Sequence, residues 1–252
     1  MRYSTGLPNL VSMAFDRKDQ LWAIAARSRV RVTPDGINTV YTGVGLINTL
    51  LVDIHDNIWI TPAGTGIVRI TESYQQLFTV ESSGILSNTV SCSSVDTSNT
   101  KWFGHLSEGI SRISDIGSVD IIPDFTDQNL YTLVSDNNGN MLAGLGGYNN
   151  DTLLVSLGFG LPANLSPVIE DAVFPQTKML VTGIAVDHFN RIWIVVCHVE
   201  KSANVKIGLY YHDQELHRQD LLPDDANILS IKADKRNGIV YVLTHHTLYR
   251  IR

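Results

Sequence analysis

The segment Val52-Asp53-Ile54-His55-Asp56-Asn57-Ile58-Trp59-Ile60-Thr61 decides the fold of this chain. An apolar run ends at Asp53, a polar turn with Asp56-Asn57 follows, and a second apolar run carries Trp59. Polar turns of this composition join antiparallel strands over a short distance. The segment therefore predicts two neighbouring strands of one antiparallel sheet.

The same pattern, an Asp followed six residues later by a large apolar residue, recurs along the whole chain. Its occurrences, which number the repeats one to six, are Asp16…Trp22, Asp53…Trp59, Asp96…Trp102, Asp136…Leu142, Asp187…Trp193 and Asp234…Val240. In repeat six, Tyr241 is an alternative to Val240, with a turn one residue longer. All 4 Trp residues of the chain occupy this position. The period of roughly 40 to 50 residues is that of a β-propeller blade.

Each repeat predicts four short strands. The third has the form Gly-Ile-x-Arg-Ile, as in residues 66–70 and 109–113, and a short polar fourth strand follows. The Trp residues are interpreted as packing between blades and the Asp residues as formers of the turns. The third-strand Arg residues are predicted to bridge to a neighbouring strand or carboxylate.

Several motifs resemble the two-component regulator propeller repeat and, more distantly, the streptogramin lyase-like propellers. They are Gly6-Leu7-Pro8-Asn9, Gly84-Ile85-Leu86-Ser87-Asn88, Ile58-Trp59-Ile60-Thr61 and Gly66-Ile67-Val68-Arg69. The resemblance covers essentially the whole chain and is weakest in repeat four. It implies a sensory or ligand-binding role, often within a larger receptor.

The expected fold is all-β: residues 1–252 form a single six-bladed β-propeller domain with four antiparallel strands per blade. Repeat six ends at its third strand, residues 248–251. Residues 2–5 precede Gly6-Leu7 as Tyr41-Thr42 precede Gly45-Leu46, so they are predicted to supply the missing fourth strand. Such pairing would remove the open edge of the ring.

Function is expected where the repeats differ, in loops between second and third strands, because propeller function usually lies in non-repeating loops. All of these loops lie on one face of the ring, opposite the Asp-led turns. The ligand-binding residues predicted on this face are Arg27, His105, Glu108, Tyr148, His198 and His245. They predict a non-catalytic recognition module, either a sensor domain or a structural component, that binds a protein, a small molecule or a carbohydrate.

The alternative is a metal-dependent propeller enzyme of lyase or lactonase type, for which His198, Glu200 and His245 are the candidate residues. No catalytic or metal-binding residue is assigned and no cofactor is predicted; a divalent metal belongs to the enzyme alternative. The net charge of −6 without a Lys/Arg run argues against nucleic acids and anionic membranes. The N-terminus is polar and no apolar stretch is long enough to cross a membrane, so a full-length chain is expected in the cytoplasm.

Deleting residues 1–5 tests the predicted closure. The truncation should destabilise the whole domain, because it removes several backbone hydrogen bonds of roughly 0.5–1.5 kcal/mol each and exposes a strand edge. Thermal unfolding followed by circular dichroism measures the effect. An unchanged melting temperature would show that the N-terminus does not close the ring.

Overall fold

The computed structural model describes residues 10–18, 21–25, 28–33, 36–42, 46–146, 153–157, 163–164, 178–199, 205–213, 216–219, 222, 228–234, 238–244 and 248–251. In these residues the structure is β-sheet with one short helix, α1 (Val80–Ser83). This confirms the predicted all-β class. The chain divides into two compact units, Met1–Thr126 and Asp127–Arg252, which are described separately. The prediction of a single domain stays a prediction, as does the closing role of residues 2–5, which lie outside the described residues.

In the first unit, consecutive strands pair antiparallel in chain order. One sheet is formed by β1 (Leu10–Phe15), β2 (Leu21–Ala25), β3 (Ser28–Thr33) and β4 (Gly36–Thr42). A second sheet is formed by β5 (Ile47–Val52), β6 (Ile58–Pro62), β7 (Ile67–Ile70) and β8 (Gln75–Phe78). Next come β9 (Val90–Val95), β10 (Lys101–Ile113) and β11 (Val119–Ser135), which extends into the second unit.

The element β10 covers the predicted second and third strands of repeat three and the bend between them. Ser107, near its middle, has φ 59°. The guanidinium of Arg112 lies 5.1 Å from the ring centroid of Trp102. Ten residues of extended chain would hold them about 33 Å apart, so β10 must fold back on itself.

The second unit continues the same pattern of antiparallel neighbours. β11 pairs with β12 (Met141–Gly146), β12 with β13 (Leu154–Leu157), and β13 with β14 (Ala163–Asn164). β15 (Lys178–Val186), β16 (Ile192–Val199), β17 (Val205–His212) and β18 (Leu216–Arg218) pair in that order. β19 (Ile228–Asp234), β20 (Ile239–Thr244) and β21 (Leu248–Ile251) form a three-stranded sheet.

The register between the first two strands is the same in all repeats. The residue two before the Asp faces the Trp position of the next strand. The pairs are Ala14 with Trp22, Leu51 with Trp59, Ser94 with Trp102, Val134 with Leu142, Ala185 with Trp193, and Lys232 with Tyr241. Tyr241, rather than Val240, therefore occupies the Trp position of repeat six.

Each Trp is tied to the Asp of its own repeat. The indole Nε1–H donates to the Asp Oδ2 over 3.0 Å in repeat one, 2.9 Å in repeat two, 2.8 Å in repeat three and 3.0 Å in repeat five. The other oxygen, Oδ1, accepts backbone N–H groups of the turn, such as those of His55 and Asn57 at Asp53. Repeat four has Leu142 instead of Trp, and there the Asn140 amide donates to Oδ2 of Asp136 over 2.9 Å.

These hydrogen bonds keep a buried carboxylate ionised. Asp187 is 0% exposed, and burial by itself would raise its pKa. Hydrogen bonds from Trp193 and Arg191 outweigh that effect and lower the pKa. The turn is thus built around a charged, fully hydrogen-bonded acceptor.

The third-strand Arg stacks on the Trp of the neighbouring second strand. The Arg69 guanidinium lies 5.4 Å from the Trp59 ring centroid, and Arg112 repeats this contact on Trp102. Arg112 also forms an ion pair with Asp120, as the bridging prediction requires. In repeat four, Leu142 replaces Trp and the residue that faces it is Ser156. This repeat thus lacks both the aromatic ring and the Arg that would stack on it.

The Gly of the third-strand motif is required by the backbone of the fourth strand. Gly66 and Gly109 have φ values of 105° and 107°. A Cβ at Gly66 would lie 2.3 Å from the carbonyl oxygen of Phe78, and one at Gly109 would lie 2.4 Å from that of Ile122. Only glycine fits such a close approach of two strands.

Adjacent repeats within a unit are joined by one recurring hydrogen bond between their turns. The donor is the backbone N–H of the residue that directly follows the Asp of one repeat. The acceptor is a side-chain oxygen in the next repeat, on the third residue after its Asp. The acceptors have φ values near 60°, a conformation that Asn and Asp tolerate. The pairs are Arg17 with Asp56 (2.9 Å), Ile54 with Asn99 (3.1 Å) and Asn137 with Asn190 (3.0 Å).

Three of the four Trp side chains lie in the core, and Trp59 makes the predicted contact between repeats. Trp59, Trp102 and Trp193 are buried, whereas Trp22 is half-buried. The Trp59 ring lies 5.6 Å from Phe78 of its own repeat and 6.1 Å from Phe103 of the next one. The Trp59 ring thus takes part in the apolar contact between repeats two and three, in one cluster with Phe78 and Phe103.

Replacing Asp53 with Ala tests the role of the turn carboxylate. The substitution strips Trp59, Asn57 and two backbone N–H groups of their acceptor in a buried site. Since each buried donor left unpaired costs about 1–3 kcal/mol, the free energy of unfolding should fall by about 3 kcal/mol or more. Urea unfolding measures it. Glu72→Ala, at an exposed carboxylate, is the control, and a loss of less than about 1 kcal/mol at Asp53 would contradict this role.

Candidate functional site

The structure describes three of the six predicted ligand-binding residues at least in part. Arg27, Tyr148 and His245 lie outside the described residues, as does Glu200 of the enzyme alternative. The backbone of His198 belongs to β16, facing Met179 and Lys206. His105 and Glu108 both lie in β10, in the first unit.

His105 is buried in the sheet rather than presented to solvent. Its side chain is 0% exposed. The Nδ1–H donates to the carbonyl of Thr89 over 3.0 Å, and Nε2 accepts the hydroxyl of Ser111 over 2.8 Å. The Ser111 oxygen in turn accepts the backbone N–H of Leu86 over 2.9 Å. His105 thus links the segment before β9 to the base of the β10 bend. Its buried side chain is not accessible to a ligand.

The surroundings of His105 favour its neutral form. Burial lowers its pKa, against smaller opposing effects of the Thr89 hydrogen bond and the Glu108 charge. In this neutral form the proton lies on Nδ1, which faces the Thr89 carbonyl, and Nε2 accepts from the Ser111 hydroxyl.

The tip of the β10 bend is exposed above this buried base. Leu106 is 45% exposed and Glu108 is also exposed, with Ser107 between them in the left-handed conformation. Of the predicted residues with described side chains, Glu108 is the one that faces solvent as expected. Its apolar neighbour Leu106 was not predicted.

Hydrogen bonds join the neighbouring connections into one region. Ala63, between β6 and β7, donates its N–H to the carbonyl of Leu46 over 2.7 Å. Asn88, just before β9, accepts the N–H of Gly66 at its carbonyl and that of Val80 at its side chain, over 2.9 and 3.0 Å. These connections all lie at the end of the sheets where β5 and β9 begin. They bring loops from repeats two and three together.

We call the exposed residues at this end of the first unit the loop surface. Its members are Leu46, Val80, Glu81, Leu106 and Glu108. Hydrogen bonds from its own backbone N–H, from Thr79 and from Asn88 hold the pKa of Glu81 below its usual value, so this carboxylate is ionised. The loop surface is therefore apolar and acidic.

The opposite end of the same sheets carries a polar network that sequence patterns did not reveal. Asp115, in the turn after β10, accepts hydrogen bonds from Asn99 over 2.6 Å and from His55 over 3.0 Å. The hydrogen bonds from Asn99 and His55 lower the pKa of Asp115. They outweigh the partial burial of the carboxyl, which acts in the opposite direction. The network connects the turns of repeats two and three.

Lys101 lies beneath this network and is almost fully buried. Its Nζ donates to the carbonyls of Asn99 and Ser114 over 2.9 and 3.2 Å and lies 5.1 Å from the Trp59 ring centroid. Burial lowers its pKa, and nearby carboxylates oppose that shift. With its hydrogen bonds spent on carbonyls, Lys101 serves the packing of adjacent repeats.

The remaining candidates give no reactive site in the part of the chain that the structure describes. Within it, no group of three or more His, Cys, Asp or Glu could hold a metal ion. Cys92 is a buried free thiol, and burial raises its pKa to about 12; Cys197 is half-buried. Nor does any helix in the described segments have the length and apolarity to cross a membrane.

No protein-family model matches the sequence, and no curated protein does either. The assignment to the two-component regulator propeller family therefore stays a prediction.

Solved structures, by contrast, share the fold. The extracellular domain of BT3049, a hybrid two-component system protein of B. thetaiotaomicron, matches 98% of this chain with a TM-score of 0.69 at 15% identity. The β-propeller domain of Swd1 from Myceliophteria thermophila matches 96% with a TM-score of 0.63 at 11% identity. YCF48 bound to the D1 peptide matches 96% with a TM-score of 0.64 at 10% identity.

These likenesses show a propeller-like, all-β fold. The chain spans 34% of the BT3049 structure, 83% of the Swd1 structure and 76% of the YCF48 structure. The extracellular position of the BT3049 domain does not fit the cytoplasmic location expected from the sequence.

The buried His105 predicts a pH-dependent stability. Its folded pKa lies below the unfolded value of about 6.5, so on acidification the unfolded chain takes up a proton that the folded chain resists. The free energy of unfolding should therefore fall as pH drops from about 7 through 6.5 towards the folded pKa. Urea unfolding at each pH measures the slope. His105→Asn should flatten the dependence of the unfolding free energy on pH. His188→Asn, at an exposed histidine, should leave that dependence as it is in the parent chain. Equal slopes in the parent chain and in both variants would contradict the prediction.

Proposed function

We propose that this chain is a non-catalytic recognition module that binds a protein or small-molecule partner through the loop end of a six-bladed propeller. The observation that carries the proposal is the β10 bend, where Leu106 and Glu108 are exposed above the hydrogen-bonded base of His105 and Ser111. A binding loop whose base is fixed loses little conformational freedom when it binds.

The six-bladed ring rests on the common register. In every repeat the residue two before the Asp faces the Trp position, which Leu142 occupies in repeat four and Tyr241 in repeat six. Residues 2–5 would complete the sheet of β19, β20 and β21, which has three strands among the described residues. In a closed ring, neither the first nor the last repeat would leave an unpaired strand edge.

Recognition is favoured over catalysis by the way the repeated carboxylates are used. Each of Asp53, Asp96 and Asp187 spends one oxygen on an indole N–H and the other on backbone N–H groups. Carboxylates engaged in this way cannot also act as general acids or bases. The exposed residues of the loop surface are the groups left for contact with a partner.

The similar structures are consistent with such a role. One is the extracellular domain of a two-component system protein, one was solved bound to a peptide, and another is an auxiliary nutrient binding protein from Bacteroides thetaiotaomicron. These descriptions support, for this chain, a sensor-type or assembly-type binding role with a peptide or small molecule as partner. They also favour an extracellular setting over the cytoplasmic one.

Affinity capture from an extract of the source organism, with the chain immobilised, tests the proposal. We expect Leu106→Ser with Glu108→Lys, or His198→Ala with His245→Ala, to abolish capture of the partner. The matched control carries Ile116→Ser with Glu72→Lys at the other end of the sheets, where both residues are exposed. Loss of capture in the control, with capture kept in the loop-end variants, would mean that the opposite face binds.

A further inference from the structure

The loop surface exposes three aliphatic side chains from three different connections. Leu46 is 58% exposed before β5, Val80 is 42% exposed in α1, and Leu106 is 45% exposed in the β10 bend. The hydrogen bonds of Ala63 and Asn88 tie the first two connections together, and those of His105 with Thr89 and of Leu86 with Ser111 tie the β10 bend to the segment before β9. Exposed apolar side chains rimmed by polar groups mark surfaces that other molecules cover.

The charges on this surface have one sign. Residues 46–49, 62–66, 79–90 and 104–110 contain no Lys or Arg, and their carboxylates are Glu81 and Glu108. The imidazole of His105 is buried and its pKa is lowered, so it adds no positive charge at neutral pH. The pKa of Glu81 is lowered as well, which keeps its negative charge in mildly acidic solution.

The opposite end of the same sheets differs in this respect. There Arg17 and Lys18 are exposed, and the backbone N–H of Arg17 donates to Asp56, so cationic side chains occur at the same end as carboxylates. Arg17 donates to the carbonyl of Ile54, and Asp115 accepts from His55, so these groups are paired within the chain. Among the described residues, the loop surface therefore carries charges of negative sign alone, whereas the opposite end also carries Arg17 and Lys18.

We propose that the loop surface binds a basic polypeptide segment, whose apolar side chains cover Leu46, Val80 and Leu106 and whose Lys or Arg side chains face Glu81 and Glu108. This proposal rests on the recognition role proposed above and adds the chemistry of the partner. A polypeptide fits better than a small amine because the apolar members come from three separate connections in two repeats. The net charge of −6 would also attract a cationic partner from a distance.

The test uses three short fluorescent peptides: Lys-Leu-Ser repeats, Glu-Leu-Ser repeats, and Lys-Ser-Ser repeats that carry charge without apolar groups. Fluorescence anisotropy with the full chain measures each affinity. We expect the Lys-Leu-Ser peptide to bind most tightly, and to bind more weakly when salt rises from about 0.05 M to about 0.5 M. Glu81→Gln and Glu108→Gln should each weaken it about two- to fivefold, the effect of losing one exposed ion pair.

Matched controls distinguish the surface from a general charge effect. Glu72→Gln removes an exposed carboxylate, and Ile116→Ser an apolar side chain that is 92% exposed, both at the opposite end of the sheets. These two variants should bind the Lys-Leu-Ser peptide as the parent chain does, whereas Leu106→Ser should weaken binding. Unchanged thermal unfolding of all variants would show that each is folded.

Several outcomes would overturn the proposal. Equal binding of the Lys-Leu-Ser and Glu-Leu-Ser peptides, with both weakened by Leu106→Ser, would overturn the basic partner and leave the recognition surface in place. Loss of binding in Ile116→Ser alone would overturn both the basic partner and the choice of surface. Absence of binding by any peptide, or sedimentation showing a dimer that Leu106→Ser dissociates, would also overturn the basic partner.

Discussion

One buried carboxylate per repeat supports the rest of the structure. In the repeats that contain Trp, the Asp at the end of the first strand accepts the indole N–H of the second strand and the backbone N–H groups of the intervening turn. This arrangement sets the register of the hairpin, and the register decides on which face of the sheet the indole ring lies. The third-strand Arg can then stack on that ring, as Arg69 does on Trp59. Removing the carboxylate would leave several buried donors unpaired at once.

The two ends of the sheets consequently have different properties. At the turn end, side chains such as Asn99 and Asp115 are spent on hydrogen bonds between neighbouring repeats. At the loop end, the buried His105 and Ser111 hold the backbone, while Leu106 and Glu108 remain exposed. A rigid frame with exposed, non-repeating tips is the arrangement that favours recognition, because binding then costs little ordering.

Where the repeat departs from its pattern, the structure shows a compensating change. Leu142 replaces Trp in repeat four, and Oδ2 of Asp136 there accepts the Asn140 amide, the counterpart of the Asn57 amide in repeat two, while Ser156 replaces Arg. In repeat five, Tyr211 faces Trp193 and Arg191 stacks on both rings from the turn. The same acceptor and the same ring contact are thus satisfied by different residues, since the requirement is for a buried acceptor to be filled and an aromatic face to be covered.

The sequence by itself determined the repeat and the all-β class, because an Asp and a large apolar residue six positions apart form a local constraint within one hairpin. It also offered Tyr241 as the aromatic position of repeat six. Only the tertiary structure decided which loop residues face water. His105 and Glu108 are equally polar in sequence, yet one is buried and the other exposed. The burial of His105 goes with its hydrogen bonds to Thr89 and to Ser111, which also accepts from Leu86, and no local pattern around residue 105 encodes those contacts.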